Sequence, residues 1–154
     1  MDRDQATEAE LAQELVASLA PEELPLFGAM SRAFFEAGGR IRQSRGGDDD
    51  ALGFGVAEAA ALLTPVALTL AVAVGNFLAD EIRKSFAAET AGFVREQVRR
   101  LFRREPSSVA LTQAQLVRVR AVALEAATRT KLPKDKAALL ADALVGRLAA
   151  GGPG

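Results

Sequence analysis

Residues 59–79 read AAALLTPVALTLAVAVGNFLA, twenty-one consecutive positions without a charged side chain. A helix of that length spans roughly 30 Å, the thickness of a bilayer's hydrocarbon core. Its larger side chains are Leu, Val and Phe, and its side-chain hydrogen-bonding groups are Thr64, Thr69 and Asn76. Threonine hydroxyls return to the carbonyls of the preceding turn and cost little in an apolar setting. Asn76 is the costly group, expected at a membrane interface or against a second helix. Small residues recur every fourth position at Ala67, Ala71, Gly75 and Ala79. On a helix they form a ridge that lets two backbones approach closely, so these four, together with Asn76, are the candidates for helix association.

Pro65 decides how the stretch is built. Thr64-Pro65 has the form of an N-cap followed by proline in the first helical turn. If a helix begins there, residues 65–79 cover only about 22 Å, short for a span. Two shorter helices, 51–63 and 65 onward, then lie in a soluble bundle or partway into a membrane. If Pro65 only kinks one helix, a single span results, since membrane helices tolerate proline.

A basic stretch follows: Arg83, Lys84, Arg95, Arg99, Arg100, Arg103 and Arg104. On a helix Val94, Val98, Leu101 and Phe102 share one face with these arginines opposite, while Phe93 falls outside the stripe. A basic amphipathic helix over 82–104 suits an anionic membrane surface or another anionic partner. Arginines and lysines on this side orient the C-terminal part towards the cytoplasm, although Arg40, Arg42 and Arg45 flank the other end. Charge is split along the chain. Residues 1–50 carry eleven acidic and five basic groups, and residues 81–154 fourteen basic and seven acidic. Such halves meet different surroundings or attract each other.

The flanking segments read as amphipathic helices. Thr7-x-x-Glu10 has the form of a capping box, followed by Leu11, Leu15, Val16 and Leu19 on one face and by Pro21 as a stop. A second helix is expected from about Pro25, with Phe27, Met30 and Phe34 as its core stripe and Gly38-Gly39 as its end. The glycine- and charge-rich residues 38–50 read as a linker closing an N-terminal unit, 1–50. A second unit, 51–104, holds the apolar helix and the basic helix. Glu105-Pro106-Ser107-Ser108 separates it from a C-terminal helical hairpin, 111–150. There Thr112-x-x-Gln115 opens a helix with Leu116, Val119 and Ala123 inward. After Lys131-Leu132-Pro133 a last helix carries Leu140, Leu144 and Leu148 on one stripe, Arg147 in its final turn, and Gly151-Gly152 beyond.

The expected fold class is therefore all-α, about six helices around a long central apolar helix, kinked or broken at Pro65. The chain has neither Cys nor His, so disulfides, thiolate chemistry and the usual transition-metal ligand sets are excluded. Asp48-Asp49-Asp50 lacks the alternating ligand spacing of a calcium loop, and Gly53-Phe54-Gly55 lacks the rest of a phosphate-binding fingerprint. Glu58, in an apolar context, reads as a favourable charge in the first turns of a helix. No nucleophile–base constellation is present, so no enzyme, cofactor, metal or small-molecule substrate is expected. Arg99–Arg104 alone do not make a nucleic-acid module, and nucleic acid is not the expected partner. The acidic start offers no secretory signal. The favoured expectation is a membrane-associated anchor, scaffold or self-associating, pore-type component, with membrane lipid as the partner. The alternative is a cytoplasmic, soluble protein-interaction module with 59–79 as its buried central helix.

Overall fold

The structure, a computed structural model, describes residues 3–38, 62–85, 90–105, 110–130 and 132–150. Among these, every regular element is helical: α1 (Arg3–Leu19), a 3-10 turn (Pro21–Glu23), α2 (Leu24–Glu36), α3 (Thr64–Ser85), α4 (Ala91–Arg103), α5 (Gln113–Thr128) and α6 (Lys134–Ala150). The expectations for Arg40, Arg42, Arg45, Asp48–Asp50, Gly53–Gly55, Glu58, Ala59–Ala61, Pro106–Ser108, Lys131 and Gly151-Gly152 lie outside the described residues.

The central helix is α3, against which α1, α2, α4 and α5 all pack. Leu62 and Leu63 are not helical, so Pro65 does not kink a longer helix. It sits in the first turn of a new one, where its missing N–H removes no intrahelical bond. The break does not shorten the element as the sequence reading expects. The helix passes through Arg83 and Lys84 to Ser85 and reaches 22 residues, about 33 Å. Basic residues in its last turn suit the negative end of the helix dipole. The basic amphipathic helix is correspondingly shorter than the expected 82–104, beginning at Ala91.

The core is one cluster. Leu68, Leu70, Val74, Leu78 and Ile82 of α3 are fully buried, meeting Leu11, Leu15 and Val16 of α1, Phe27 and Phe34 of α2, Val94, Val98, Leu101 and Phe102 of α4, and Val119 and Ala123 of α5. Burying each large side chain contributes about 1.5–3 kcal/mol, so α3 is the principal apolar contributor to the bundle. In α6, Leu140, Leu144 and Leu148 are buried in the same cluster, and the helix pairs with α5 and also touches α1 and α4.

The local signals fare unevenly. Thr112 and Gln115 form the reciprocal capping box at α5. Thr7 caps nothing: α1 already includes Arg3, and the Thr7 hydroxyl donates to the Arg3 carbonyl at 3.0 Å. The helix extends through Arg3–Ala6, none of them buried, before its apolar face begins. Gly38 closes α2 with φ +81°, the left-handed conformation in which glycine is unstrained.

Candidate functional site

The N-terminus of α3 is completed from another part of the chain. The turn after α1 brings Glu23 inward, where it is 6% exposed. Its carboxylate accepts from the Leu63 N–H at 2.9 Å, the Thr64 N–H at 2.9 Å and the Thr64 hydroxyl at 2.7 Å. Helix N-termini carry unpaired N–H groups and partial positive charge, and a carboxylate satisfies both. Thr64 therefore donates its hydroxyl to Glu23 instead of capping with it. Glu23 and Thr64 are 41 positions apart, and no local pattern around Glu23 announces the contact.

The small-residue ridge faces inward. Ala67, Ala71, Gly75 and Ala79 are all buried, and a side chain on Gly75 would meet Glu8 of α1 and Phe102 of α4. A β-carbon there would lie 3.2 Å from Glu8 Oε2 and 3.5 Å from Phe102 Cζ. At Gly75 the ridge thus lets α1 and α4 approach α3 closely within one chain. Asn76 is exposed, away from the ridge. Thr69, half-buried, returns its hydroxyl to the Pro65 carbonyl at 2.8 Å.

The basic candidates divide into local pairs and a seam between helices. Within α3, Arg83 bonds Asp80 at 2.8 Å and Lys84 lies 3.6 Å from Glu81. Within α4, Arg99 and Arg100 both pair with Glu96, Arg100 at 3.1 Å. Across to α1, Arg95 lies 3.6 Å from Asp4, and Arg103 grips Glu10 through Nε at 3.1 Å and Nη2 at 2.9 Å. That grip holds the Arg103 guanidinium above its ordinary pKa, first through the hydrogen bond and then through the charge of Glu10. Arg147 of α6 pairs with Glu14 and also donates to the Phe102 carbonyl at 3.3 Å. Acidic positions 4, 10 and 14 of α1 thus face guanidiniums of α4 and α6. Exposed pairs of this kind are individually weak and are screened by salt. Arg104 is exposed, with φ 59°, and closes α4.

Asp4, Thr7, Glu8, Arg95, Val98, Arg99 and Phe102 line an open hollow between α1 and α4 with a cavity volume of about 10 Å³. That is room for about one water, far below a small-molecule site. Among the described residues no group of three or more carboxylates is placed to hold a metal ion. No family model, curated protein or solved structure matches this chain. The site is therefore read from its own geometry. Its most developed features are a dry helical core, a carboxylate that caps the central helix, and a charged seam along α1. Sequence reasoning singled out the arginines of that seam but not their partners Asp4, Glu10 and Glu14.

Proposed function

We propose that the protein is a non-catalytic, water-soluble helical bundle that acts by binding a protein partner, with α3 as its own core. The observation that carries the solubility is the burial of the apolar helix by its neighbours. α3 is long and apolar enough to cross a membrane by length and composition, yet 61% of its most apolar eighteen-residue window is buried within the chain. The oily surroundings it needs are supplied by α1, α2, α4 and α5. The outermost side chains of α3, Asn76, Asp80, Arg83 and Lys84, are polar or charged. Binding is the natural use of such a scaffold, since its surface is charged and shows no catalytic constellation among the described residues.

Membrane residence is the second reading, favoured by the length and apolar character of α3 alone. Cell fractionation separates the two. The bundle reading expects the full chain in the supernatant after ultracentrifugation without detergent, as a monodisperse species. Recovery in the pellet, resistant to alkaline carbonate and released only by detergent, would replace it with the membrane reading.

A further inference from the structure

The helix whose sequence best suits a membrane surface is α4, and in this fold that surface is not free. Val94, Val98, Leu101 and Phe102 form an apolar face that is buried in the bundle. Arg95, Arg99, Arg100 and Arg103, with one acidic residue, Glu96, make the rest of the helix strongly cationic. Both termini are completed locally. The Thr90 hydroxyl accepts from the Phe93 N–H at 3.1 Å. At the other end Glu105 N–H reaches the Arg100 carbonyl at 2.9 Å and Arg104 N–H reaches that of Leu101 at 3.3 Å, the paired closure that follows a left-handed residue. These caps travel with α4 if it leaves its neighbours.

On its polar side α4 is tied to α1 through Asp4 to Arg95 and Glu10 to Arg103, and to α6 through Arg147, which donates to the Phe102 carbonyl. The side chains in the two pairs with α1 are between 39% and 49% exposed, so the pairs are open to water.

We propose that α4 is a latched membrane-surface helix. Asp4 and Glu10 occupy Arg95 and Arg103 in the closed bundle. On release, α4 lays Val94, Val98, Leu101 and Phe102 into an anionic bilayer and sets its arginines among the headgroups. The apolar face exchanges one dry environment for another, but the α1 and α3 surface that α4 covers is uncovered, so the closed form dominates in the wild-type chain and Asp4 and Glu10 add to that bias. A bilayer fits better than nucleic acid because a polyphosphate would use the arginines and leave the four apolar side chains without a role.

The test is flotation of the purified full chain with vesicles of 30% phosphatidylglycerol in phosphatidylcholine, and with pure phosphatidylcholine vesicles, at low salt. The wild-type chain is expected to bind weakly. D4N with E10Q removes the latch at two exposed positions and is expected to raise partition into anionic vesicles about tenfold, with little binding to neutral ones. Adding R95Q and R103Q to that variant should return binding to the wild-type level. Because D4N with E10Q also raises the net charge, a matched control neutralises exposed acids elsewhere, E22Q with E36Q, and should leave binding unchanged. Circular dichroism confirms that each variant is folded; if the double variant is not, E10Q alone is expected to give about a threefold rise. A folded double variant that binds no better than wild type overturns the proposal. So does equal binding by the control pair, by neutral vesicles, or by the variant lacking both arginines. Binding that prefers a single-stranded oligonucleotide over anionic vesicles overturns it in favour of nucleic acid. A wild-type chain embedded in cell membranes would defeat the soluble-bundle reading instead, so the two failures are distinguishable.

Discussion

Removing the Glu23 carboxylate leaves three donors at the head of the central helix without their acceptor. Leu63 is half-buried and its N–H can turn to water, but Thr64 is fully buried and its N–H and hydroxyl cannot. A buried donor left unsatisfied costs about 1–3 kcal/mol, and a hydrogen bond to a charged group contributes about 1.5–3 kcal/mol. The three bonds share one carboxylate and are not additive. On that basis Glu23→Ala is expected to cost about 3 kcal/mol, which for a chain of this size lowers Tm by about 6–12 °C. Glu23→Gln keeps one acceptor oxygen and is expected to lose about half as much. Thr64→Val removes one donor and should cost about 1 kcal/mol in the wild type. In the Glu23→Ala background it should cost less, because the hydroxyl has already lost its acceptor. Urea denaturation is the appropriate assay, since guanidinium is itself a salt that would screen the charged contact. The neighbouring Glu22→Ala, at an exposed position, serves as the control and should fall within about 0.5 kcal/mol of wild type. If Glu23→Ala behaves like Glu22→Ala, the carboxylate does not anchor α3 and the account of how the helix begins is wrong.

Three further outcomes follow from the packing. At Gly75 an added methyl presses mainly on the carboxylate at the far end of the flexible Glu8 side chain. Gly75→Ala should therefore be near neutral as the gain in helix propensity offsets the crowding, whereas Gly75→Val should destabilise by about 1–3 kcal/mol in urea melts. Arg104 holds a left-handed conformation at φ 59°, so Arg104→Gly is expected to stabilise by about 1 kcal/mol, read as a raised urea midpoint at constant slope. Gly28 and Gly146 lie within helices and a β-carbon at either meets nothing within 4 Å; each change to Ala should add about 0.5–1 kcal/mol, measured by thermal melts.

The helical class and the inward faces were legible because apolar residues recur at helical spacing: Phe27, Met30 and Phe34 in α2, and Leu140, Leu144 and Leu148 in α6, are buried as their spacing predicts. The capping box at Thr112 was legible for the same reason, since both partners lie within one turn. The similar pattern at Thr7 misleads because the helix already runs through it from Arg3, and the Thr7 hydroxyl bonds back to the Arg3 carbonyl instead of capping. Pro65 was ambiguous in sequence because its preference for a first turn and its tolerance within a helix make opposite predictions; the buried acceptor 41 residues away favours the first turn. That acceptor, and the pairing of Asp4, Glu10 and Glu14 with distant arginines, depend on tertiary contacts that no local window contains. The apolar run of 59–79 was read for its length, but length alone does not distinguish lipid from the chain's own helices as the surroundings of α3.

Hydrogen exchange of the α3 backbone amides, in buffer without detergent or lipid, tests the central claim most directly. If α3 is the dry core of a soluble bundle, the amides of Leu68 to Leu78 exchange only through global unfolding, with protection on the order of 10⁴ or more. Exchange within seconds in that buffer, with protection gained only on adding detergent or vesicles, would contradict it.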